Sequence, residues 1–376
     1  MKELLILSNI SSEKYGDSTR PYFLGRYLSS CFRVTHFCLL EELKDNIKYE
    51  KLPSSLSFSR PLSIWKVVQK VNKTIKKKEF KILYTHQFLY GIIGSFVKLM
   101  NPRLPFYVDF HSCEYFELKY QPNKHLKERL RIFLVPYLER FICEKSDKII
   151  TVSEETKNLL VNYYSIDQEK IIVIKNATDT SVISKVDTFD KAKLEKYRLD
   201  KKNNVLVMFP NPRNGFVSNE LAMEFLFEVA EKVRKKRNDI KFLILGGGNK
   251  PKISLDNVIF TGYVKDYNEW LNIADVCIAT YPPNAVCGGV RNKICDYLAV
   301  GKPIIATKES MRGFDDLLPD IHYYECNTVI SFSEKLIHFD KTDNNLKNMT
   351  FRNLKKSKMY SWDKKAEALI DVFNQM

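Results

Sequence analysis

The segment 281–307 is the most informative part of the chain because it places two cations, a carboxylate and a glycine pair close together: Arg291, Lys293, Asp296, Gly288 and Gly289. The glycine pair ends a loop rich in Pro and Asn, and a helix is predicted from about Val290 to Val300. Backbone N–H groups at the start of a helix attract anions, and adjacent cations add to that attraction. The pattern is typical of a diphosphate site, in which the carboxylate can accept hydrogen bonds from the hydroxyls of a ribose. When the segment is considered alone, a solvated helix that follows a glycine-rich loop explains its sequence almost as well as a diphosphate site does.

Three neighbouring loops favour the phosphate interpretation because each of them follows a predicted strand in the same half of the chain. One contains Gly247 within a triple glycine, where a ligand can lie against bare backbone. A second contains Tyr263 and Val264, so that its backbone can contact a base edge with the tyrosine packed beside it. A third contains Arg213, which can pair with a phosphate. An ordinary polar turn explains each loop separately, and neither G-x-G-x-x-G nor G-x-x-x-x-G-K-[ST] occurs.

Two histidines follow predicted strands in the first half of the chain. His111 comes directly after the strand Phe106–Phe110, and His86 follows the strand Ile82–Thr85. A histidine at a strand end can hydrogen-bond a substrate, although a lone histidine is more often structural. We predict a functional role for His111 and regard the case for His86 as weaker.

Short apolar runs rich in Ile and Val alternate with helical patterns along the chain. The predicted strands are 4–7, 34–39, 82–85, 106–110, 148–152 and 171–174, then 205–209, 241–245, 258–261, 276–280, 304–307 and 322–325. Continuous apolar strands that alternate with helices indicate parallel sheets covered on both faces. We therefore predict an α/β protein with doubly wound domains in residues 1–180 and 181–360, and a C-terminal helix in residues 361–376 that returns to the first domain. Ligands bind at the carboxyl ends of such strands, so we expect the site in a central cleft between the two facing domains.

The composition excludes several other classes of protein. With 376 residues, 44% hydrophobic and 28% charged, the chain is expected to be globular and to have two domains. The apolar run 88–100 is too short to span a membrane, and no secretory signal precedes the first strand, which predicts a cytoplasmic protein. The eight cysteines and six histidines form neither CxxC nor HExxH patterns, so no metal site is predicted. The net charge of +15 favours anionic partners but does not indicate which kind of anionic partner is bound.

Two stretches combine basic and apolar residues. Residues 61–79 place Ile64, Val68 and Val71 on one side of a predicted helix and lysines elsewhere, and residues 124–134 are a second basic, amphipathic stretch. Docking to an anionic membrane surface, which would bring a lipid-linked acceptor to the protein, is one interpretation. A helix packed on the sheet with a solvated lysine face is the somewhat simpler interpretation of residues 61–79.

Several segments resemble a known family of enzymes. The sequences FLILGGG, VIFTGYV, NIADVCIATYPP and RNKICDYLAVGKPIIAT are similar to the donor half of GT-B glycosyltransferases, closest to the retaining family 4 group. SDKIITVSEETKNLL and IIVIKNATD resemble the end of that family's first domain, and SWDKKAEALIDVF resembles its final helix. The resemblance implies a GT-B architecture of two Rossmann-like domains, with a nucleotide-sugar donor in the second domain and an acceptor in the first.

The resemblance also implies roles for individual residues. Arg291 and Lys293 would hold the donor diphosphate, together with the backbone of Gly288, Gly289 and Val290, and the two cations and His111 would count as catalytic. Asp296 occupies the place of the second glutamate in the E-x7-E pair, which binds the ribose, whereas Gly288 stands where the first glutamate touches the donor sugar. His111 would hydrogen-bond the transferred sugar or the acceptor. The remaining donor contacts would come from Gly16, Arg213, Gly247, Tyr263 and Val264.

The implied activity is transfer of a hexosyl or related sugar to a glycan or lipid-linked acceptor with retention of configuration. In this family the leaving diphosphate is stabilised by cations and helix N–H groups, and no DxD motif is present, so neither a metal nor another cofactor is required. A nucleotide-sugar epimerase of the same fold and a catalytically weak nucleotide-sugar-binding protein stay open as alternatives. Specific nucleic-acid binding is not expected, because the basic residues lack a recognisable module or interleaved aromatics.

Overall fold

The computed structural model describes residues 1–10, 19–39, 45–119, 126–188, 190, 192–210, 217–246, 254–285 and 289–375. Contacts group these residues into two units. Unit 1 comprises the described residues of Met1–Ala177, Cys287–Gly289 and Trp362–Met376. Unit 2 comprises the described residues of Thr178–Val286 and Val290–Ser361.

Unit 1 is built on a sheet of seven parallel strands among the described residues. The strands are β1 (Lys2–Leu7), β2 (Phe32–Cys38), β3 (Lys48–Lys51), β4 (Phe80–His86), β5 (Phe106–Phe110), β6 (Lys148–Thr151) and β7 (Ile171–Val173). Their order across the sheet is β3-β2-β1-β4-β5-β6-β7. Apolar side chains of the central strands are buried on both faces of the sheet. The sequences of these strands are therefore nearly continuous apolar runs.

Helices cover both faces of this sheet. They are α1 (Thr19–Leu28), α2 (Pro61–Lys77), α3 (Gln87–Met100), α4 (Glu114–Lys119), α5 (Leu126–Lys145), α6 (Glu154–Tyr164) and α13 (Trp362–Asn374). The apolar stripe of α2 is buried at Ile64, Val68 and Val71, so α2 packs on the unit 1 core as the simpler of the two interpretations predicts. The C-terminal α13 packs against α1 and belongs to unit 1.

Unit 2 contains the second parallel sheet, in which the described residues form six strands. They are β8 (Val205–Pro210), β9 (Ile240–Leu245), β10 (Val258–Gly262), β11 (Val276–Ala279), β12 (Ile304–Ala306) and β13 (Tyr324–Glu325). Their order across the sheet is β10-β9-β8-β11-β12-β13. The helices are α7 (Ala192–Glu195), α8 (Val217–Arg234), α9 (Tyr267–Ile273), α10 (Lys293–Ala299), α11 (Val329–Ile337) and α12 (Asn344–Ser357).

The predicted α/β class with two parallel sheets is confirmed. Several predicted strands differ from the structure by one or two residues at their ends, and larger differences occur at two elements. The edge strand β3 was missed because Lys48–Lys51 carries no apolar run and no residue of this strand is fully buried. The helix predicted to start near Val290 begins at Lys293. Among the described helices, none combines the length and apolar composition needed to cross a membrane.

Candidate active site

The carboxyl edge of the unit 2 sheet has a switch point between β8 and β11. The chain adds β9 and β10 on one side of β8 and then adds β11, β12 and β13 on the other side. Loops that leave two neighbouring strands in opposite directions open a crevice, where doubly wound sheets bind their ligands. Because β8 ends at Pro210 and β11 ends at Ala279, side chains near these two residues form the candidate site of unit 2.

Arg291 is buried at this switch point. Its Nη2 donates a hydrogen bond to the carbonyl oxygen of Ala285 at 2.8 Å, and its guanidinium carbon lies 3.7 Å from the centroid of the Tyr281 ring. These contacts keep Arg291 outside α10, and the preceding glycine and β-branched valine are weak helix formers. The cation therefore stands beside the helix start instead of within the first turn.

Lys293, the first residue of α10, reaches the end of β8. Its Nζ donates to the carbonyl oxygen of Pro210 at 3.0 Å and lies 4.0 Å from the centroid of the Phe209 ring. Burial lowers the pKa of the Lys293 ammonium well below its ordinary value, and the charge of Arg291 lowers this pKa further. A bound anion would favour the charged lysine, so anion binding and protonation of Lys293 reinforce each other.

Asp296 lies one turn along α10 and is held by two hydroxyl groups. Oγ1 of Thr178 donates to its Oδ1 at 2.6 Å, and the hydroxyl of Tyr267 donates to its Oδ2 at 3.2 Å. Burial raises the pKa of Asp296 to about 6, although both hydroxyls and Lys293 favour the charged form. Each carboxylate oxygen can accept a second hydrogen bond, so these contacts are compatible with the predicted ribose ligand.

The loops after β9 and β10 are joined by their glycines. The N–H group of Gly246 donates to the carbonyl oxygen of Gly262 at 2.9 Å, and both glycines have positive φ angles, of 113° and 71°. The next side chain, Tyr263, is 58% exposed, while Val264 and Val290 pack against the unit 2 core. The side chain of Tyr263 is therefore accessible to a ligand.

Four residues of the predicted donor site lie outside the described residues. They are Gly16, Arg213, Gly247 and Gly288.

In unit 1, the ends of β4 and β5 bring two histidines and an aspartate together. β4 ends at His86, and His111 directly follows β5. Nδ1 of His86 lies 3.1 Å from Nε2 of His111, within hydrogen-bond distance. Asp109 is fully buried, and its two oxygens lie 3.7 Å from Nδ1 of His86 and 4.0 Å from Nε2 of His111. Since β4 borders β1, this cluster lies at the switch point of the unit 1 sheet.

A buried arginine neutralises Asp109. Nε of Arg20, on α1, donates to Oδ2 of Asp109 at 2.9 Å, and the hydroxyl of Tyr84 donates to the same oxygen. Nη1 of Arg20 donates to Oδ1 of Asn176 at 3.0 Å. These additional hydrogen bonds offset part of the cost of burying the two charges. The pair therefore ties α1 to the ends of β4 and β5.

His86 is held in the neutral form. Its burial lowers the pKa of the imidazole well below the ordinary value, and the charges of His111 and Arg20 lower it further. A neutral imidazole has one donor and one acceptor nitrogen, so His86 can accept a hydrogen bond from its neighbour. On the other side of His111, Nε2 of Gln87 lies 3.2 Å from Nδ1 of the ring.

Gly289 approaches the main chain at His111. A Cβ atom placed on Gly289 would lie 2.6 Å from the carbonyl oxygen of His111, closer than a side chain allows. The structure thus brings two of the predicted site residues, Gly289 and His111, into contact, and a glycine is required at position 289.

The cluster His86, Asp109 and His111 also offers ligand atoms for a metal ion. These atoms all lie within 4.8 Å of one another, and two imidazoles with a carboxylate form a common ligand set. Arg20 already balances the carboxylate, and the two rings lie within hydrogen-bond distance of each other. We therefore treat the cluster as a hydrogen-bonded network.

Several residues of the two sites were not identified from the sequence. Asp109 forms a D-x-H pattern with His111 at a strand end, a signal that could have been used. Arg20 and Tyr281 carried no comparable signal, because their contacts depend on which strands and loops lie side by side.

Two family profiles match the chain. Glycosyltransferase Family 4 matches residues 24–182, and Glycosyl transferases group 1 matches residues 214–327. Together these matches extend over most of both units. A sequence comparison with curated proteins finds no match.

Solved glycosyltransferase structures resemble the whole chain. Sucrose-phosphate synthase from Thermosynechococcus elongatus aligns over 100% of this chain and 99% of its own, with a TM-score of 0.77 at 16% identity. HepE from Anabaena, in complex with UDP-glucose, aligns over 100% of both chains with a TM-score of 0.74 at 12% identity. The Escherichia coli trehalose-6-phosphate protein bound to UDP-2-fluoro glucose covers 100% of this chain and 99% of its own, with a TM-score of 0.73 at 10% identity.

The two parallel sheets and these neighbours define the fold as GT-B. The chain belongs to the group 1, family 4 type of glycosyltransferases.

Proposed function

We propose that the chain transfers a sugar from a nucleoside diphosphate sugar to an acceptor with retention of configuration at the anomeric carbon. The observation that carries the proposal is the pair Arg291 and Lys293 at the switch point of unit 2. Both cations contact backbone oxygens and aromatic rings, and within the described part of the chain neither forms an ion pair with a carboxylate. Two cations without carboxylate partners at a ligand-binding edge fit a diphosphate.

In the proposed reaction the bond between the anomeric carbon and the diphosphate oxygen breaks, and the acceptor oxygen bonds to the same face of the sugar. The acceptor's hydroxyl proton passes to the leaving phosphate. Arg291 and Lys293 stabilise the charge that develops on this phosphate, and such preorganised stabilisation lowers the barrier. Since these cations supply the charge, no divalent metal takes part in the proposed step.

The remaining contacts with the donor and the acceptor are assigned from the chemistry of the side chains. Asp296 accepts hydrogen bonds from the ribose hydroxyls, and the exposed Tyr263 lies beside the base. His111 of unit 1 hydrogen-bonds the transferred sugar or the acceptor, and unit 1 binds the acceptor. UDP-sugars are the first donors to test, because HepE and the trehalose-6-phosphate protein have been solved with UDP-sugar ligands.

The first experiment measures the melting temperature against UDP-, GDP-, ADP-, CMP- and dTDP-sugars. A donor at a hundred times its dissociation constant stabilises the folded state by about 2.7 kcal/mol. One nucleotide class should stabilise the wild type but neither Arg291→Ala nor Lys293→Gln. Arg234→Ala, which removes an exposed cation of the same unit paired with Asp256, is the matched control and should behave as the wild type.

The products then separate the remaining alternatives. Transfer with retained anomeric configuration in the presence of EDTA is the expected result, whereas a requirement for a divalent metal would contradict the role given to the two cations. Conversion of the donor without an acceptor would indicate an epimerase. Donor binding without transfer or hydrolysis would indicate a nucleotide-sugar-binding protein, and no binding of any donor would contradict the proposal.

We also propose that unit 1 meets an anionic membrane surface, through α5, and thereby reaches a lipid-linked acceptor at the cytoplasmic face. Four large apolar side chains of α5 are exposed and share one face of the helix: Leu130, Phe133, Leu134 and Tyr137. Arg129 and Arg140 are exposed on the same helix. An exposed apolar stripe with adjacent cations is typical of interfacial helices.

Vesicle co-sedimentation tests this surface. The wild type should bind vesicles that contain phosphatidylglycerol and bind pure phosphatidylcholine weakly, and the double variant Phe133→Ser/Tyr137→Ser should lose most of the binding. Phe351→Ser removes an equally exposed aromatic residue from α12 of unit 2 and is the control. Equal binding by the double variant and the wild type would refute the assignment to α5.

A further inference from the structure

Two aromatic rings lie against the cations of unit 2. The guanidinium carbon of Arg291 lies 3.7 Å from the centroid of the Tyr281 ring. Nζ of Lys293 lies 4.0 Å from the centroid of the Phe209 ring and 5.2 Å from that of Tyr281. Attraction between a cation and a ring face extends to about 6 Å from the centroid, so all three contacts are attractive. Tyr281 therefore holds both cations, and Phe209 holds the lysine.

Both rings are anchored in the core of unit 2. Phe209 lies within β8 and Tyr281 two residues after β11, and both side chains are almost fully buried. The N–H group of Tyr281 donates to Oγ of Ser310 at 3.1 Å, and Oγ1 of Thr307 donates to the carbonyl oxygen of Tyr281. The two ring faces are thus fixed on the strands that border the switch point.

A ring face holds a cation without neutralising it. A carboxylate partner would cancel the positive charge and compete with an incoming anion, whereas an aromatic face carries no net charge. The ring also covers only one side of the planar guanidinium and leaves the N–H groups at its edge accessible. Within the described residues the guanidinium of Arg291 donates one hydrogen bond, to the carbonyl oxygen of Ala285. Further N–H groups of Arg291 are therefore left for a phosphate.

The rings also offset part of the cost of keeping two buried groups charged. Arg291 is only 9% exposed, and a buried cation without an anion is costly. Burial lowers the pKa of Lys293 and so favours its neutral form, while the carboxylate of Asp296 favours the charged form. A ring face attracts the ammonium and not the neutral amine, so Phe209 acts in the same direction as Asp296. Cations that are already charged and in place spare a ligand the cost of ordering them.

We propose that Tyr281 and Phe209 are positioning residues, whose ring faces keep Arg291 and Lys293 charged and in place to receive the donor diphosphate. The inference deepens the proposed function and rests on it for the identity of the anion. The contacts between the rings and the cations belong to the free protein, and inorganic pyrophosphate probes them without a nucleotide sugar.

The test weakens the ring face at position 281 while its shape is nearly kept. Tyr281→Phe retains the ring and should bind pyrophosphate within about twofold of the wild type. Singly, doubly and triply fluorinated phenylalanines at position 281 then withdraw electron density from the face in steps, with little change in volume. The dissociation constants for pyrophosphate and for the donor, measured by isothermal titration calorimetry, should rise with each fluorine and reach on the order of tenfold the value of Tyr281→Phe. The same series at Phe209 should weaken binding through Lys293.

Triply fluorinated phenylalanine in place of Phe332 is the matched control. The ring of Phe332 is fully buried in the core of unit 2, 5.7 Å from the ring of Phe225. This variant reports the packing effect of fluorine and should leave both dissociation constants unchanged. Melting temperatures of all variants verify that they are folded.

Three results would overturn the proposal. They are dissociation constants that stay within about twofold across the series at position 281, a loss of affinity as large in the Phe332 control, or a loss in Tyr281→Phe as large as in the triply fluorinated variant, which would assign the effect to the hydroxyl group. If pyrophosphate affinity falls along the series but the wild type neither binds nor turns over a nucleotide sugar, the proposed function fails while the role of the rings stands. If the wild type binds neither pyrophosphate nor a nucleotide sugar, both fail.

Discussion

At the scale of single residues, the buried carboxylate of Asp109 organises the unit 1 site. It receives hydrogen bonds from Arg20 and Tyr84 and lies beside the two histidine rings. Burial of a charge is costly unless a partner of opposite sign and further hydrogen bonds satisfy it. The interactions of Asp109 therefore hold the ends of β4 and β5 in the arrangement that brings His86 and His111 together.

Removal of the carboxylate charge should destabilise unit 1 strongly. Asp109→Asn leaves the guanidinium of Arg20 buried without its anion, so we expect the free energy of unfolding to fall by about 3–5 kcal/mol. Tyr84→Phe removes one hydrogen bond and should cost about 1–2 kcal/mol. Urea unfolding monitored by circular dichroism measures both changes.

A paired substitution is the control for this effect. The double variant Arg20→Met/Asp109→Leu removes both charges and should be more stable than Asp109→Asn, because no charge is left unpaired. A loss below about 1 kcal/mol in Asp109→Asn would show that the ion pair does not organise the unit 1 site.

At the scale of elements, α5 caps the helix that follows His111. Glu139 of α5 is fully buried and accepts hydrogen bonds from the backbone N–H groups of Glu114, at 2.7 Å, and Tyr115, at 3.4 Å, in the first turn of α4. The hydroxyl of Tyr164 on α6 donates to the same carboxyl group. The carboxyl group of Glu139 thus satisfies orphan N–H groups of a helix that starts three residues after His111.

The capping carboxyl group makes stability depend on pH. Burial raises the pKa of Glu139 from 4.5 to about 7, although its three hydrogen-bond donors oppose the shift. The folded state therefore holds a proton that the unfolded state releases, and the stabilisation is present below pH 4.5 and is lost as the pH rises towards 7. The loss should be on the order of 3 kcal/mol.

Unfolding free energies of the wild type and Glu139→Gln, measured between pH 5 and pH 8, test this contribution. Glutamine keeps the shape of the cap and cannot ionise, so the difference between the two proteins isolates Glu139 from other titrating groups such as Asp296. The wild type should lose stability relative to the variant as the pH rises. If the unfolding free energies of the two proteins change in parallel with pH, Glu139 keeps the same charge throughout this range.

At the scale of the whole molecule, each unit has its own parallel sheet and core, and unit 1 is completed by the end of the chain. Trp362, Leu369 and Phe373 of α13 are almost fully buried in the cluster that contains Tyr84 and Tyr107 of the central strands. The ring of Phe373 lies 5.5 Å from the Tyr84 ring and 4.9 Å from the Tyr107 ring. The final helix is therefore part of the core behind the strands that carry the histidine cluster.

Truncation of a buried α13 side chain should destabilise unit 1. Leu369 is fully buried, and Leu369→Ala should lower the free energy of unfolding by about 2–5 kcal/mol through lost burial and the cavity left behind. Lys364→Ala on the exposed side of the same helix should change it by less than about 0.5 kcal/mol. Differential scanning calorimetry compares the two, and equal melting temperatures would show that α13 is dispensable for the unit 1 core.

Most elements of the fold could be predicted from the sequence because strands covered on both faces of a parallel sheet are predominantly apolar. The runs at Phe106–Phe110 and Val258–Thr261 correspond to β5 and β10 within one residue. The edge strand β3 could not be found in this way, since Lys48–Lys51 is stabilised by pairing with β2 and not by burial. The start of α10 was misplaced because Arg291 is held by contacts with Ala285 and Tyr281 outside the helix.

The sequence by itself determined the fold class, the family and the positions where strands end in chemically useful residues, because these depend on local composition and on motifs. Only the tertiary structure decided which of those residues meet. Arg20, His86 and Asp109 are far apart in the chain, and they come together because the strand order places β4 between β1 and β5. The left-handed conformation of Gln87 and the burial that keeps His86 neutral likewise arise from packing, which no local pattern of residues encodes.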